Sequence, residues 1–465
     1  MSRALGALRD RAPRAVGSLD LPEACEIPQL AAIVEPGRLT RALGDALAQA
    51  DPGAPPLLRC SVLKVHYRPG RECRLVISAH FRSGRRTAEQ LYFGKLLAGA
   101  PSAHENGTST PSAPRAAAPS FGPASLHVAD WDLRLWAYPN DPELPGLPLL
   151  TDPERVRERF ASEPEVFGFE RAPRSLRARR AKYVPGRRCG YAYDVKGWSR
   201  RGRAAARRVY GKCYAGAAAA VAHDAAWRVW HSTPAREGRL RVPRPFACDE
   251  ADGITWQEGL AGRPVLKERA HATHLPDIAG EIGLRLAALH GAVLPLPREM
   301  DHASQLAMLR GSLAGARATD VPAARAACEL GARLLAHGSR FPELPSVTLH
   351  GSFRLSHILE TPEGIAFIDL DGATAGDPGV DLGRFLAHLR RLEAQGSVAP
   401  AIADATAREF LRGYEAAAPV RVSDERIGWA TAVHLISGGL DKAVKRMDAR
   451  LLAALTGAAA ESYPS

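Results

Sequence analysis

An internal repeat constrains this chain more than any other feature. Tyr67-Arg68-Pro69-Gly70-Arg71-Glu72-Cys73 returns as Tyr183-Val184-Pro185-Gly186-Arg187-Arg188-Cys189, identical at five of seven positions. The downstream spacing agrees, because Tyr92-Phe93-Gly94-Lys95 ends 22 residues after Cys73 and Val209-Tyr210-Gly211-Lys212 ends 23 after Cys189. Ser61 to Ile77 and Gln90 to Leu97 carry β-branched and aromatic residues around a Pro-Gly turn, which marks strands. Each copy reads as strand, Pro-Gly turn, returning strand, second turn and third strand ending in lysine, so one small antiparallel sheet is present twice. The copies diverge after the lysine. Lys212 leads into Ala215 to Ser232, alanine-rich and helical by propensity, whereas Lys95 leads into Ala98 to Ser125, an Ala/Pro/Ser/Gly-rich stretch with no hydrophobic period. Lys95 is therefore expected to be a relic or a packing residue.

Composition excludes several classes. At 465 residues the chain has room for two to four domains, and 46% hydrophobic against 24% charged residues is too apolar for wholesale disorder. Seven cysteines without a C-x-x-C pair fit neither a disulfide framework nor a zinc ribbon. Arg3, Arg9, Asp10, Arg11 and Arg14 interrupt the first apolar pieces, and no run of about 18 apolar residues occurs, so a cytoplasmic protein without a membrane span is expected. Net charge is +12, but Arg171 to Lys212 holds 15 Lys/Arg against Asp194 alone. That segment reads either as a grip on phosphates or as a solvated face. Aromatic residues do not interleave it as stacking platforms would, and no nucleic-acid module signature occurs, so nucleic acid is not the expected partner.

Punctuation divides the rest. Tyr138-Pro139-Asn140-Asp141-Pro142-Glu143-Leu144-Pro145-Gly146 excludes a helix or central strand, and Asp152 to Ala161 turns helical. From about Pro276 helical periodicity dominates, with candidates at Ile278–Leu294, Leu306–Ala314, Ala323–His337, Asp381–Glu393, Ala403–Ala417, Asp424–Ile436 and Ala449–Ala460. One hairpin interrupts them, where Ile358-Leu359 and Ile365-Ala366-Phe367-Ile368 flank a Pro-Glu-Gly turn.

The residues around that hairpin carry a resemblance. His350-Gly351-Ser352-Phe353-Arg354-Leu355-Ser356-His357-Ile358-Leu359, then Ile368-Asp369-Leu370-Asp371, Gly376-Asp377-Pro378 and Asp381-Leu382 resemble the aminoglycoside phosphotransferase and choline kinase-like family, which shares the protein kinase-like fold. Trp256-Gln257-Glu258-Gly259-Leu260-Ala261-Gly262 resembles the hinge that holds adenine, and Leu286-Ala287-Ala288-Leu289-His290 resembles the helix near the lobe boundary. The first sheet copy is extra and is similar to the N-terminal cap of maltokinase-like proteins. The resemblance implies an α+β, bilobal protein kinase-like fold with a duplicated N-terminal antiparallel sheet and a helical C-terminal lobe. The expected organisation is an extension over 1–97, a low-complexity linker over 98–125, a connecting segment over 126–175, an N-lobe over 176–260 and a C-lobe over 261–465.

It also implies an ATP- and magnesium-dependent phosphotransferase acting on a hydroxyl of a small molecule. Such chemistry needs a lysine on the phosphates, carboxylates on the metal and a residue steering the acceptor. Carried over by position, Lys212, Arg187, Arg188 and Glu258 bind nucleotide, Asp369, His357 and Asp371 hold the metal, and Ser352 and Asp369 are catalytic. His350, Asp381 and Asp224 support the site, Asp224 by orienting Lys212, while Asp377 caps a turn. Two positions depart from the family pattern. Ser352 stands where the catalytic aspartate belongs and His357 where a metal-binding asparagine belongs, so the alternative is a pseudokinase that binds nucleotide or a partner without transferring phosphate.

Overall fold

The computed structural model describes residues 25–84, 86–99, 117–198, 204–266, 269–296 and 299–463. Two antiparallel sheets of five strands share one topology. The first runs β1 (Leu57–Arg68), β2 (Glu72–Ser83), β3 (Arg86–Leu97), β4 (Ser125–Val128) and β5 (Leu133–Ala137), in the order β1-β2-β3-β5-β4. The second runs β6 (Ser175–Val184), β7 (Arg188–Trp198), β8 (Ala204–Tyr214), β9 (Pro245–Asp249) and β10 (Ile254–Gly259), in the order β6-β7-β8-β10-β9. Register makes the duplication concrete: Tyr67 faces Cys73 as Tyr183 faces Cys189, and Lys95 pairs with Arg74 as Lys212 pairs with Gly190. The repeat thus covers five strands, two more per copy than the sequence pattern marks.

This reassigns part of the chain. The span 126–175, read as a connecting segment, carries the closing strands of the first sheet. Of the linker 98–125, residues 100–116 lie outside the described residues, while Asn140 exchanges hydrogen bonds of 2.9 Å with the backbone of Ala117, and Phe121 stacks on Phe81 with centroids 4.9 Å apart. Short β4 and β5 are held by tertiary pairing, not by a periodic signal of their own.

Different helices cover the two sheets. Pro36–Ala50 begins with proline at its first turn, where no N–H is missed, and buries Leu39, Leu43 and Leu47 on the first sheet. The second sheet packs its aromatic face, including Tyr193 and Trp256, against Leu147, Leu150, Val156 and Phe160 from the helices that follow residue 146. Ala218–Trp230 follows β8 and buries Ala219, Ala222, Ala225 and Val229. Those small side chains permit close approach to the turn Leu370–Gly372. Two apolar clusters build the helical lobe. One gathers Phe353, Phe367, Phe385 and Phe410, and the other gathers Leu309, Leu330, Trp429 and Leu440. The fold is α+β and bilobal, with its N-terminal sheet present twice. All seven cysteines are free, and no helix among the described residues is long and apolar enough to cross a membrane.

Candidate functional site

Lys212 reaches from β8 into the helical lobe. Its Nζ lies 2.8 Å from Asp369 Oδ1 and 2.6 Å from Asp371 Oδ1. Arg188, at the start of β7, places Nη1 3.0 Å from Asp371 Oδ2 and 3.5 Å from Asp369 Oδ1. Burial alone would lower the Lys212 pKa, but Asp371 and Asp369 outweigh it and hold the ammonium well above the ordinary lysine range. The converse holds for Asp369: burial would raise its pKa, yet Lys212 foremost, with Arg188, keeps it ionised below the usual carboxylate range.

Backbone geometry delivers the two carboxylates together. The hairpin strands Ile358–Thr361 and Gly364–Phe367 end just before Asp369, which adopts φ 66°, a left-handed conformation uncommon outside glycine. A one-turn helix over Leu370–Gly372 then returns Asp371 to the same side. Strand alternation plays no part in their common direction, because the strand stops at Phe367.

The loop beneath is braced by Asp381. Its Oδ2 accepts the backbone N–H of His350 at 2.6 Å and its Oδ1 that of Gly351 at 3.1 Å, while His290 Nε2 stands 3.4 Å away. Gly351 has φ +72°, and a Cβ there would run into the carbonyl oxygen of Gly372. His350 Nε2 lies 3.0 Å from the Ile368 carbonyl, which only accepts, so Nε2 carries the proton and Nδ1 offers its lone pair to Ser352 Oγ at 3.4 Å. Ser352 Oγ is also 3.4 Å from His357 Nδ1. Asp377 Oδ1 accepts the Gly379 N–H at 2.8 Å, and Oδ2 pairs with buried Arg426.

Two expected roles are corrected, those of Asp224 and His357. Asp224 pairs with Arg228 at 2.7 Å, one turn along its own helix, and Lys212 is oriented by Asp369 and Asp371 instead. His357 is a poor metal ligand, because Nε and Nη2 of Arg354 donate to its Nε2 at 3.0 and 2.8 Å and occupy the lone pair. Burial foremost, with Arg354, His350 and Lys182 adding to it against Asp369, lowers its pKa to about 2. Arg187 is exposed, and its charged neighbours are Arg188, Arg68, Arg74 and Arg446, so it joins a cationic rim instead of the carboxylate cluster. Glu258 closes β10, where its Oε2 accepts the Arg244 N–H at 3.1 Å and its own N–H donates to Arg244 O at 2.8 Å. For a divalent cation the fit is limited to Asp369 and Asp371, both oxygen donors. Among the described residues no set of three His, Cys, Asp or Glu side chains gathers as a metal site, so magnesium would need phosphate oxygens and water for its remaining positions.

Sequence reasoning missed the grip on the Pro185-Gly186 turn. Asp141 Oδ2 accepts the Gly186 N–H at 2.7 Å and the Tyr183 hydroxyl at 2.8 Å, and Arg74 of β2 donates to Gly186 O at 2.9 Å. Arg74 in turn pairs with Glu72 and Glu143. The only available signal was the Pro/Asn/Asp punctuation at 138–146, which marks a turn and names no partner.

Comparison with known proteins adds a family likeness. Residues 196–420 match the model of the phosphotransferase enzyme family. No curated protein matches the chain in sequence. Solved structures similar to it include an aminoglycoside phosphotransferase from Streptomyces rimosus (17% identity, 61% of this chain and 98% of that one, TM-score 0.38). A choline/ethanolamine kinase family protein from Mesorhizobium loti is also similar (16%, 67% and 93%, TM-score 0.39). So is a macrolide 2'-phosphotransferase from Brachybacterium faecium (19%, 66% and 99%, TM-score 0.43). The matched segment begins inside β7 and runs through Lys212, the His350 loop and both aspartates, while the whole first sheet lies outside it. Lys212, the His350 loop and both aspartates thus lie within the segment, residues 196–420, that is similar to the phosphotransferase enzyme family, and Arg188 stands just ahead of it.

Proposed function

We propose that the protein is an ATP- and magnesium-dependent phosphotransferase acting on a hydroxyl of a small molecule. The observation that carries this reading is the placement of the Lys212 ammonium between Asp369 and Asp371 at the junction of the lobes. In the reaction a bond forms between the acceptor oxygen and the γ-phosphorus, the bond to the β–γ bridging oxygen breaks, ADP leaves and the acceptor proton is released. Lys212 and Arg188 exchange their carboxylate partners for phosphate oxygens and neutralise charge there. Asp369 and Asp371, so released, are the groups that would hold magnesium, which supplies further neutralisation. Adenine would lie beside the end of β10 at Glu258, whose own N–H is already donated to Arg244 O. Ser352 meets the acceptor hydroxyl and can pass its proton to His350 Nδ1, whose other nitrogen is anchored on Ile368 O.

One observation favours the second reading, a nucleotide-binding pseudokinase: no carboxylate stands at position 352. Titration of ATP with and without magnesium, followed by an ADP-release assay, separates the two. The first prediction is that Asp369→Ala removes the magnesium-dependent part of ATP binding and leaves the rest. Equal affinity with and without magnesium in both proteins would refute the metal role, and binding without any ADP release would favour the pseudokinase.

A further inference from the structure

The helix Gly379–Ala394 turns a basic face toward the His350 loop. Arg384, His388 and Arg391 follow one another at spacings of four and three, which places them on one side of a helix. Leu382, Phe385 and Leu389 occupy the buried side. The face starts at the loop itself, because Arg384 Nη1 donates to the Gly351 carbonyl. From there to Arg391 is about 10 Å along the axis at 1.5 Å per residue. The Arg391 guanidinium lies against Gly438 of the long helix Asp424–Arg446, in the space a larger side chain there would share. Arg354 enters from the loop and is the charged neighbour shared by Arg384, His388, Arg391 and Lys182.

Among the described residues no carboxylate stands within ion-pair distance of Arg354, Arg384 or Arg391. The nearest acids are already engaged: Asp369 with Lys212 and Arg188, and Asp381 with two backbone N–H groups and His290. His388 adds a neutral donor or acceptor. Burial first, then Arg354 and Arg391, hold its pKa down to about 4, and its Nδ1 is buried without a hydrogen-bond partner. Crowded, partly desolvated cations cost free energy in the empty protein and return it when an anion binds. Guanidinium forks match carboxylate and phosphate oxygens in shape as well as charge, and they would repel a polycationic acceptor.

Resting on the phosphotransferase reading, we propose that the acceptor is an anionic alcohol, a hydroxy-carboxylate or a phosphorylated alcohol. Arg354, His388 and Arg391 hold its acidic group while its hydroxyl lies at Ser352. The transferred phosphoryl group is the other anion that could meet these arginines, but Lys212 and Arg188 already serve it from the opposite lobe.

The test is calorimetric titration of the full chain saturated with magnesium and a non-hydrolysable ATP analogue. The probes are glycerate and glycerol 3-phosphate, with glycerol and the diamine 2-deoxystreptamine as neutral and cationic counterparts. The two anions are expected to bind, and Arg391→Ala to weaken them at least about tenfold. Arg391→Glu should abolish their binding, with Arg391→Gln in its place if the reversal does not fold. Glycerol or 2-deoxystreptamine binding as tightly as the anions overturns the proposal, as does anion binding unchanged in the variants or absent from wild type. Anions that bind the ADP complex but are excluded by the ATP analogue would give the arginines to the transferred phosphoryl group, which also overturns it. Nucleotide affinity, measured first in the same cell, judges the phosphotransferase reading separately, and the free chain can still be titrated with the anions if that reading fails.

Discussion

Ser352 stands between two histidines whose protons point in opposite senses. His350 Nδ1 presents a lone pair, while Arg354 claims the His357 Nε2 lone pair and leaves the proton on Nδ1, facing Ser352 Oγ. A hydroxyl fits this arrangement by donating to one and accepting from the other. It supplies no strong base, because burial lowers the His350 pKa against the opposing pull of Asp381 and Asp369. A positioned base typically contributes about 10²–10⁴-fold to a rate, and in the proposed reaction charge stabilisation by Lys212 and Arg188, with magnesium where it binds, would remain. Slow but measurable turnover is therefore expected, and Ser352→Asp should raise kcat at least about tenfold. His357→Asn, which restores a ligand the family pattern uses, should tighten the magnesium dependence. Unchanged or lower kcat in Ser352→Asp at saturating acceptor would overturn this account of the loop. The motif made position 352 legible from sequence. Arg354 was not, because its role depends on His388 and Arg391, more than thirty residues downstream.

At the scale of elements the two sheets answer why one lysine is proposed to work and the other is not. Lys95 and Lys212 hold the same register position, but the residue aligned with Arg188 in the first copy is Glu72, and its Oε2 lies 3.2 Å from Lys95 Nζ. The first copy therefore neutralises its own lysine, whereas the second copy must borrow carboxylates from the helical lobe. Lys212→Ala should weaken ATP binding at least about tenfold by removing a charged hydrogen-bond donor, while Lys95→Ala leaves it intact; equal losses in titration would mean two working sites. The extension acts instead through the Pro185-Gly186 turn. Asp141→Ala leaves the Gly186 N–H and the Tyr183 hydroxyl without their acceptor, a cost of about 1–3 kcal/mol for each group left buried. Faster amide exchange across 183–188 and weaker ATP binding are expected with both sheets folded; unchanged exchange there would show that the grip is idle. The repeat was readable because seven residues around a tight turn keep their identity. Its docking was not, since Asp141 and Gly186 are 45 residues apart and no local pattern pairs them.

For the whole molecule, the +12 net charge is less informative than where ionisation is suppressed. Part of the basic segment is spent internally: Arg171 and Arg174 lie over the Trp198 ring at 5.4 and 5.3 Å, Arg180 over Tyr138 at 5.3 Å, and Arg208 pairs with Asp194 at 2.7 Å. Six histidines have their pKa lowered chiefly by burial: His223 and His350, and furthest His66 to about 4, His357 to about 2, His388 to about 4 and His434 to about 3. In the unfolded chain each returns to 6.5. Between these values the unfolded state binds more protons than the folded one, so stability rises with pH and is lost as pH falls from 6.5 toward 4. The depressed carboxylates Asp369 and Asp381 act lower, losing their contribution only as pH drops below 3.8. Lys212, with its raised pKa, contributes fully at neutral pH and is lost only above the ordinary lysine value of 10.5. The melting temperature should therefore begin to fall between pH 8 and 7 and decline more steeply through pH 6 to 5, with unfolding near pH 5 taking up at least about three protons. Calorimetric unfolding in buffers of different ionisation enthalpy reads that number. His434, whose Nε2 donates to Val380 O at 3.1 Å, gives the control: His434→Asn keeps a donor and should reduce the uptake by about one proton. A melting temperature constant down to pH 5 and falling only below pH 4 would show that carboxylates alone govern the acid limb.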